Sequence, residues 1–392
     1  MELYDSRYFV INKKLQKLIG VWPFESRTRK NFCRTFGFIF MFIGVIPQVI
    51  ALDVARRNKD FDKITQSFAT FLFVLAIYSK LVTSIMKEEQ MIKLYEEIVN
   101  NWNQMKEKDD KKEMIKHAEI GRFMTICYAA YVFNALIGFI TFPLLPSIMD
   151  KISPLANGSR PRIYVLEGQY MVDREQYFGI IYILEAGVCI MMVVIFCTCD
   201  TAFCVCVEQS VGLMSVVKMR LKKATKYGSQ WEKTDPNNTP YALVKKLIVF
   251  HQKVLTSVEI VESAYSFYLF ALMGFNVFIL SCGSLVIVAN LDNPMETLRY
   301  GMIFIGLMIH MFFLNLPGQR LLDASSDLHC NAYDNEWYEC SEQTKQLLLF
   351  IMLKCKTPCI ITAGKIVIMN IQNFGILAKS AASYFTVFAS FR

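Results

Sequence analysis

The sequence predicts an all-α membrane protein with seven transmembrane helices, a cytoplasmic N-terminus, an extracellular C-terminus and a helical cytoplasmic anchor region. The first observation behind this prediction is the composition. Of the 392 residues, 54% are hydrophobic and 19% are charged, whereas roughly 25% of residues are charged in soluble domains. The second observation is a series of apolar stretches, and the third is the distribution of Lys and Arg between them. We therefore expect a single membrane domain over residues 1–392.

Seven stretches match the roughly 20 apolar residues that a membrane helix needs. They are Phe36–Leu52, Ile64–Met86, Phe123–Leu145, Tyr177–Val207, Tyr265–Leu291, Leu298–Leu316 and Ile366–Phe391. In span two we expect Lys80 to extend toward the interface, because long side chains near helix ends can do so. In span four we expect Glu185 and Asp200 to face inward and to find partners on neighbouring helices; a proton relay is conceivable.

The last span carries a polar stripe through an otherwise apolar helix. Its members are Asn370, Asn373, Ser380, Ser383 and Tyr384. Polar groups are costly in hydrocarbon unless they face protein or water. The stripe therefore favours a helix over residues 366–392 that lines a water-filled path, and the alternative is an amphipathic helix lying in the membrane interface.

Lys and Arg set the expected orientation. If the N-terminus is cytoplasmic, the segments inside the cell hold about three times as many Lys and Arg as those outside, as the positive-inside rule requires. The inside segments are 1–35, 80–122, 208–264 and 317–365, and the outside loops are 53–63, 146–176 and 292–299. The same bias accounts for the net charge of +8 without a nucleic-acid partner.

Two smaller features fit this topology. The glycosylation sequon at Asn157 lies in a loop that we expect outside, whereas the sequon at Asn237 precedes Pro240 in a loop that we expect inside and unmodified. The first residues lack the basic and apolar regions of a cleavable signal peptide, so the first apolar helix is expected to direct insertion.

The cytoplasmic segments 208–264 and 317–365 have the pattern of anchor helices. Apolar residues recur every three or four positions from Val211 to Leu221 and from Leu243 to Val261, which predicts helices that extend spans four and five. A third helix is expected at Thr344–Leu353. These apolar faces need partners, either within one subunit or between subunits. The mixed-charge run 86–122 is expected to be solvated, and Trp22 is expected at headgroup depth.

Motifs for catalysis are not found in the sequence. The patterns of serine hydrolases, P-loop proteins, zinc peptidases and dinucleotide-binding proteins do not occur. The paired cysteines from Cys197 to Cys206 have one-residue spacing inside an apolar helix, unlike metal knuckles. We therefore expect no enzyme activity, no metal and no cofactor, and we interpret His310 as a core or interface histidine.

The C-terminal fifth of the chain carries the motifs of a known family. Leu314 to Asp323, then Trp337-Tyr338-Glu339, then Ile361 to Lys365 and finally Ser383 to Thr386 resemble insect odorant receptors in order and spacing. The ending is also similar to gustatory receptors, but Ser390 replaces their Gln, which favours the odorant branch.

The resemblance implies an odorant-gated, non-selective cation channel in the plasma membrane of a sensory neuron dendrite. Four subunits would surround one pore lined by the last helix, with this chain as a tuning subunit beside a shared co-receptor, because the co-receptor's long cytoplasmic insertion is absent. The motif places the gate at Val387 and Phe391, with Ser390 next to the pore. Apolar rings there can block ions by dewetting.

The resemblance also implies a ligand pocket in the outer half of the bundle, among spans two, three, four and six, with residues 36–207 holding helices one to four. Gly138 would leave room for a small volatile or lipid-like ligand. The matching positions are Phe71, Leu72, Leu75, Tyr131, Ala135, Gly138, Phe142, Ile181, Tyr182, Tyr300 and Ile303.

Three other functions remain as alternatives. A gustatory-type ligand-gated channel of the related family has the same general design. A metabotropic receptor would have the opposite topology. A secondary transporter would usually show internal repeats and helices broken near the midplane, and we find no repeat between the two halves of the sequence.

Overall fold

A computed structural model describes residues 2–153, 160–166, 168–226, 239–292 and 294–390. Within them the chain is almost entirely helical. The helices are α1 (Val10–Leu18), α2 (Arg27–Arg57), α3 (Phe61–Met86), α4 (Glu88–Gln104), α5 (Lys108–Thr141), α6 (Leu145–Ile152), α7 (Phe178–Thr225), α8 (Pro240–Ala289), α9 (Pro294–Tyr333), α10 (Glu342–Cys355) and α11 (Ile371–Ser390). Short 3-10 helices occur at Glu2–Asp5, Phe142–Leu144 and Trp337–Glu339, and two strands, β1 (Thr362–Ala363) and β2 (Val367–Ile368), pair antiparallel.

Six helices of this described part are long and apolar enough to cross a membrane. They are α2, α3, α5 with α6, α7, α8 and α9, and they correspond to the first six predicted spans, of which the fourth and fifth extend one and two residues beyond their helices. The seventh predicted span corresponds to α11, whose 20 residues would measure about 30 Å at 1.5 Å per residue. The all-α membrane fold is therefore confirmed.

Two of the helices are far longer than a bilayer requires. Helices α7 and α8 have 48 and 50 residues, so each is about 70 Å long, whereas the hydrocarbon core is about 30 Å thick. The predicted extensions of spans four and five are thus continuous with those spans. We call the end formed by residues 88–122, 208–226, 239–264 and 317–365 the inner end of the bundle, and the opposite end the outer end.

Helix α7 lies at the centre of the bundle. It packs against α2, α3, α5, α8 and α9, and every residue from Cys197 to Met214 is buried. This part of α7 is surrounded by protein and therefore has no solvent-facing stripe.

The apolar faces of the inner end are covered within one chain on two of the three anchor helices. Val217 and Leu221 on α7 and Leu247 and Val254 on α8 are all at most 2% exposed. Helix α10 differs, since three of its apolar side chains are exposed in the single chain. They are Leu349, Phe350 and Leu353, at 56%, 66% and 61% exposure.

Two predictions for the inner end are wrong. The run 86–122 is not a solvated face, because α4 buries Leu94 and Ile98, and α5 buries Met114. The many charged residues of this run made it read as polar, although its apolar residues recur at helical spacing. Trp22 is only 3% exposed and packs edge-on against Tyr4, so it lies inside the protein and not among lipid headgroups.

The start of the last helix also differs from its prediction. Residues 366–370 are not helical, since β2 occupies Val367–Ile368 and α11 begins at Ile371. Gly364 and Lys365 have φ angles of 62° and 60°, and the Ile366 amide donates to the Ala363 carbonyl over 3.1 Å. Two successive left-handed residues are typical of a type I′ hairpin turn, which interrupts any helix.

Candidate functional site

The candidate pocket residues on α5 lie next to open space. Ala135 and Gly138 are exposed, and a Cβ atom at Gly138 would meet no atom within 4 Å. Tyr131 is half-buried and faces α9, where a Cβ atom at Gly306 would lie 3.4 Å from its hydroxyl. Phe142, in the following 3-10 helix, is 8% exposed. The side chains from α5 therefore divide between packed positions and an open surface.

The candidates on α3 and α7 lie mainly in the packed interior. Leu72 is 8% exposed and Ile181 is 2% exposed, whereas Phe71 and Leu75 are half-buried. The hydroxyl of Tyr182 donates to the Ile140 carbonyl over 3.0 Å. This hydrogen bond joins α7 to α5 at the outer end.

The candidates on α9 contact the last helix. Tyr300 is 8% exposed and accepts a hydrogen bond from the Gln66 amide of α3. Tyr300 belongs to a buried cluster with Val286 and Ile287 of α8, against which Ile303 and Phe385 pack. Because Phe385 belongs to α11, this cluster connects the predicted pocket region to the predicted pore helix.

Described residues of the segment between α6 and α7 contact the outer ends of α7 and α9. The Glu185 carboxylate is 1% exposed and accepts hydrogen bonds from the amides of Val165 and Leu166, at 3.0 and 3.1 Å, and from the Tyr170 hydroxyl at 3.0 Å. Arg299 of α9 donates to the Val165 carbonyl over 3.2 Å. The inward orientation of Glu185 is confirmed, but its partners come from this segment and not from a helix.

The gate candidates lie at the end of α11. Val387 is 48% exposed, and the Ser390 hydroxyl donates to the Val387 carbonyl over 2.7 Å. Tyr384, one turn earlier, is 40% exposed. The main contacts of α11 are with α8 and α9, so one face of this helix is left uncovered in the single chain. Phe391 lies outside the described residues, and so does the glycosylation candidate Asn157.

The first two members of the polar stripe have a structural role that the sequence did not reveal. Asn370 caps α11, because its side-chain oxygen accepts a hydrogen bond from the Asn373 amide over 2.8 Å. The Asn373 side chain donates to the Ile368 carbonyl of β2 over 2.7 Å. Gln319 of α9 accepts from the Ile371 amide over 3.1 Å. These contacts attach the base of α11 to the hairpin and to α9.

A buried cluster of charged and polar side chains lies at the centre of the bundle. The Lys80 ammonium is 2.6 and 2.8 Å from the two oxygens of Asp200, and both side chains are 0% exposed. Asp200 faces inward as expected, and its partner lies on a neighbouring helix. The expectation that Lys80 extends to the interface is wrong, because the position of a single Lys in an apolar helix cannot reveal a carboxylate on another helix.

Among the residues that the structure describes, no group of three or more His, Cys, Asp or Glu side chains could hold a metal ion.

Sequence comparison identifies the family. The family model described as 7tm odorant receptor matches residues 60–382. The chain belongs to this family. Its members are receptors and not enzymes, and the match favours the odorant branch over the related gustatory receptors.

Relatives among well-characterised proteins are distant. Odorant receptor Or2 of Anopheles gambiae is 18% identical over 383 residues, covering 94% of this chain and 95% of that protein. Odorant receptor 49a of Drosophila melanogaster is 29% identical over 92 residues, which are 24% of this chain and only 23% of that relative's length. The odorant receptor coreceptor of Aedes aegypti is 26% identical over 92 residues, 22% of this chain and 19% of the coreceptor.

Solved structures confirm the fold. The insect olfactory receptor OR5 from Machilis hrabei, in complex with eugenol, superposes with a TM-score of 0.77 at 16% identity and covers 98% of this chain and 97% of its own. A second structure of OR5 from Machilis hrabei superposes with the same TM-score of 0.77 at 15% identity and covers 100% of this chain and 99% of its own. This odorant receptor is thus a multi-pass membrane protein with the fold of OR5.

Proposed function

We propose that this odorant receptor is a ligand-gated, non-selective cation-channel subunit of the plasma membrane. The observation that carries the proposal is the uncovered face of α11. Val387 and Tyr384 are exposed on a helix of membrane length whose other side packs on α8 and α9. A pore shared by several subunits gives such a face a role, since it would meet water and the same face of neighbouring subunits.

The ligand of this proposal is a small volatile or lipid-like molecule bound in the outer half of the bundle. The open space beside Gly138 and the aromatic rings of Tyr131 and Tyr182 support this class, because such a site offers apolar surface with few polar anchors. Eugenol, which is present in the OR5 complex from Machilis hrabei, is a ligand of the same kind. The full set of proposed pocket positions is the one given by the resemblance.

Assembly with a co-receptor subunit into a heterotetramer is the third part of the proposal. The exposed side chains Leu349, Phe350 and Leu353 of α10 support it, because a contiguous apolar surface away from the membrane favours contact with another subunit. The similarity to the coreceptor of Aedes aegypti over 92 residues is consistent with a related partner.

The gate is tested by substitutions at Val387. If apolar rings keep the closed pore dry, Val387→Ser should raise the ligand-free current severalfold, because each subunit loses apolar surface worth about 25 cal/mol per Å². With Val387→Cys, an external thiol reagent should react faster when ligand is present. Whole-cell current per receptor at the cell surface is the measurement, with the co-receptor co-expressed.

The matched control is Lys379→Ala, which lies eight residues or about 12 Å earlier on α11. It should leave ligand-free current and ion selectivity unchanged. A Val387→Ser variant with ordinary ligand-free current and selectivity, together with a Lys379→Ala variant that alters both, would contradict the proposed gate.

A further inference from the structure

Five membrane helices meet at one carboxylate. Asp200 of α7 pairs with Lys80 of α3 and accepts hydrogen bonds from the hydroxyls of Tyr128 on α5, at 2.9 Å, and Tyr268 on α8. His310 of α9 places its Nε2 atom 3.2 Å from the second oxygen. We call these five side chains the ionic centre.

Stability alone does not explain the ionic centre. A fully buried ion pair is often no more stabilising than well-packed apolar side chains of the same volume, although removing one partner is costly. Charged residues inside the membrane are rare and tend to mark functional positions. The Lys80 ammonium also lies 3.8 Å from the centroid of the Phe196 ring, so its position is defined on more than one side.

Contacts lead from the ionic centre toward the proposed pocket along two helices. On α5, the rings of Tyr128 and Tyr131 are 6.4 Å apart between centroids, and Tyr131 is a candidate pocket residue. On α9, His310 lies four residues after Gly306, the position that faces the Tyr131 hydroxyl. A ligand that moves Tyr131 relative to α9 therefore acts on two of the groups that bind Asp200.

Contacts also lead from the ionic centre to the base of the pore helix. Tyr268 lies on α8 between Ser266 and Phe270. The Gly364 amide of the hairpin donates to the Ser266 carbonyl over 3.0 Å. A Cβ atom at Gly364 would lie 2.7 Å from the Phe270 ring, so the hairpin is in tight contact with this turn of α8 and is followed directly by α11.

We propose that Asp200 is a positioning residue that couples ligand binding in the outer half of the bundle to the base of α11. This rests on the proposed function as a ligand-gated channel. The hydrogen bonds that Asp200 accepts from Tyr128 and Tyr268 join α5, which carries Tyr131, to α8, which contacts the hairpin. The coupling is a free energy shared by two sites, and it changes when either hydroxyl is lost.

Single hydroxyl removals test the coupling with little risk to folding. The variants are Tyr128→Phe and Tyr268→Phe. The matched control is Tyr265→Phe, a buried tyrosine on the same face of α8 whose hydroxyl contacts the Cys206 sulfur at 3.8 Å. The probe is the most active member of a panel of volatile alcohols, esters and phenols, applied to cells that express the full chain with the co-receptor.

The readouts are the probe concentration for half-maximal current and the fraction of maximal current that flows without probe, both independent of surface amount. We expect each ionic-centre variant to change at least one of them by about threefold or more, which corresponds to a change of roughly 0.65 kcal/mol in coupling, and Tyr265→Phe to change neither. The double variant Lys80→Met/Asp200→Asn, which leaves no unpaired charge, should reach the surface and show a larger change.

The outcomes separate the coupling from the channel function. If the unaltered receptor conducts and all three ionic-centre variants match it in both readouts, the ionic centre is only structural and the coupling is overturned. If the unaltered receptor carries no current with any panel member and Val387→Ser carries none either, the channel function is overturned and the coupling with it.

Discussion

Gly318 illustrates how one absent side chain positions α11. A Cβ atom there would lie 2.1 Å from the Met369 carbonyl oxygen, far inside van der Waals contact, so only glycine lets the end of the hairpin approach α9. The neighbouring Gln319 then reaches the Ile371 amide at the first residue of α11. Gly318 and Gln319 thus attach the start of α11 to α9.

Gly138 has the opposite surroundings, and this leads to a test of the proposed pocket. Since a Cβ atom there meets nothing within 4 Å, Gly138→Trp can enter the space that a ligand would occupy. We expect it to abolish or narrow the ligand response while the protein still reaches the surface, as measured by dose–response currents and surface labelling.

The control for this prediction is Gly274→Trp on α8, which is also exposed and open around its Cβ position but is not a pocket candidate. It should leave the dose–response curves unchanged. If the dose–response curves of Gly138→Trp are unchanged for every active ligand, the ligand does not bind beside Gly138.

At the scale of single elements, the inner part of α8 shows how an amphipathic helix becomes a buried one. Leu247, Val254 and Val258 pack inside the chain, and His251 on the same face is only 5% exposed. Burial lowers the pKa of His251 below its ordinary value of 6.5, and the nearby positive charge of Lys354 lowers it further. In the folded receptor, His251 therefore remains neutral to lower pH than in the unfolded chain.

The stability of the receptor should consequently fall as the solution becomes acidic. Below about pH 6.5 the unfolded chain binds a proton at His251 that the folded chain does not, so the free energy of unfolding decreases, by at most about 1.4 kcal/mol per pH unit for one proton. We expect His251→Gln to reduce the drop in unfolding temperature between roughly pH 7.5 and 5.5, measured on receptor in detergent.

His329→Gln provides the comparison. His329 is half-buried on α9, with its ring nitrogen 3.2 Å from the Met352 carbonyl. Since this variant keeps the buried ring of His251, the contribution of His251 to the drop in unfolding temperature should remain in it. If the unfolding temperature falls equally for His251→Gln and for the unaltered receptor over this pH interval, His251 is not the cause of the acid sensitivity.

At the scale of the whole molecule, the bundle has two chemically different ends. The inner end carries the long extensions of α7 and α8 and ion pairs such as Arg220 with Asp110, at 2.6 Å, and Lys223 with Asp109, at 2.6 Å. At the outer end, the buried Glu185 carboxylate accepts a hydrogen bond from the Val165 amide. The Lys and Arg bias of the sequence predicts that the inner end faces the cytoplasm.

This orientation predicts where the two termini lie. An epitope tag placed after Arg392 should be stained on intact cells, whereas a tag at the N-terminus should be stained only after permeabilisation. A tag after Arg392 that is detected only after permeabilisation would refute the orientation.

Local composition by itself predicted the approximate positions of the membrane-length helices, because transfer into lipid depends mainly on the apolar content of about 20 consecutive residues. Helical periodicity likewise predicted that spans four and five continue as the inner parts of α7 and α8. Motif order was sufficient to predict the family.

Only the tertiary structure decided which residues meet. Lys80 and Asp200 are 120 positions apart, and Trp22 packs against Tyr4 and Tyr95. Neither pairing leaves a periodic signal in the sequence. The energy of a contact depends on which distant residue lies opposite, and the hydropathy of a residue does not reveal this. The same reason explains the late start of α11, where the close fit of Gly364 against Phe270 places a hairpin in a stretch whose apolar composition reads as helix.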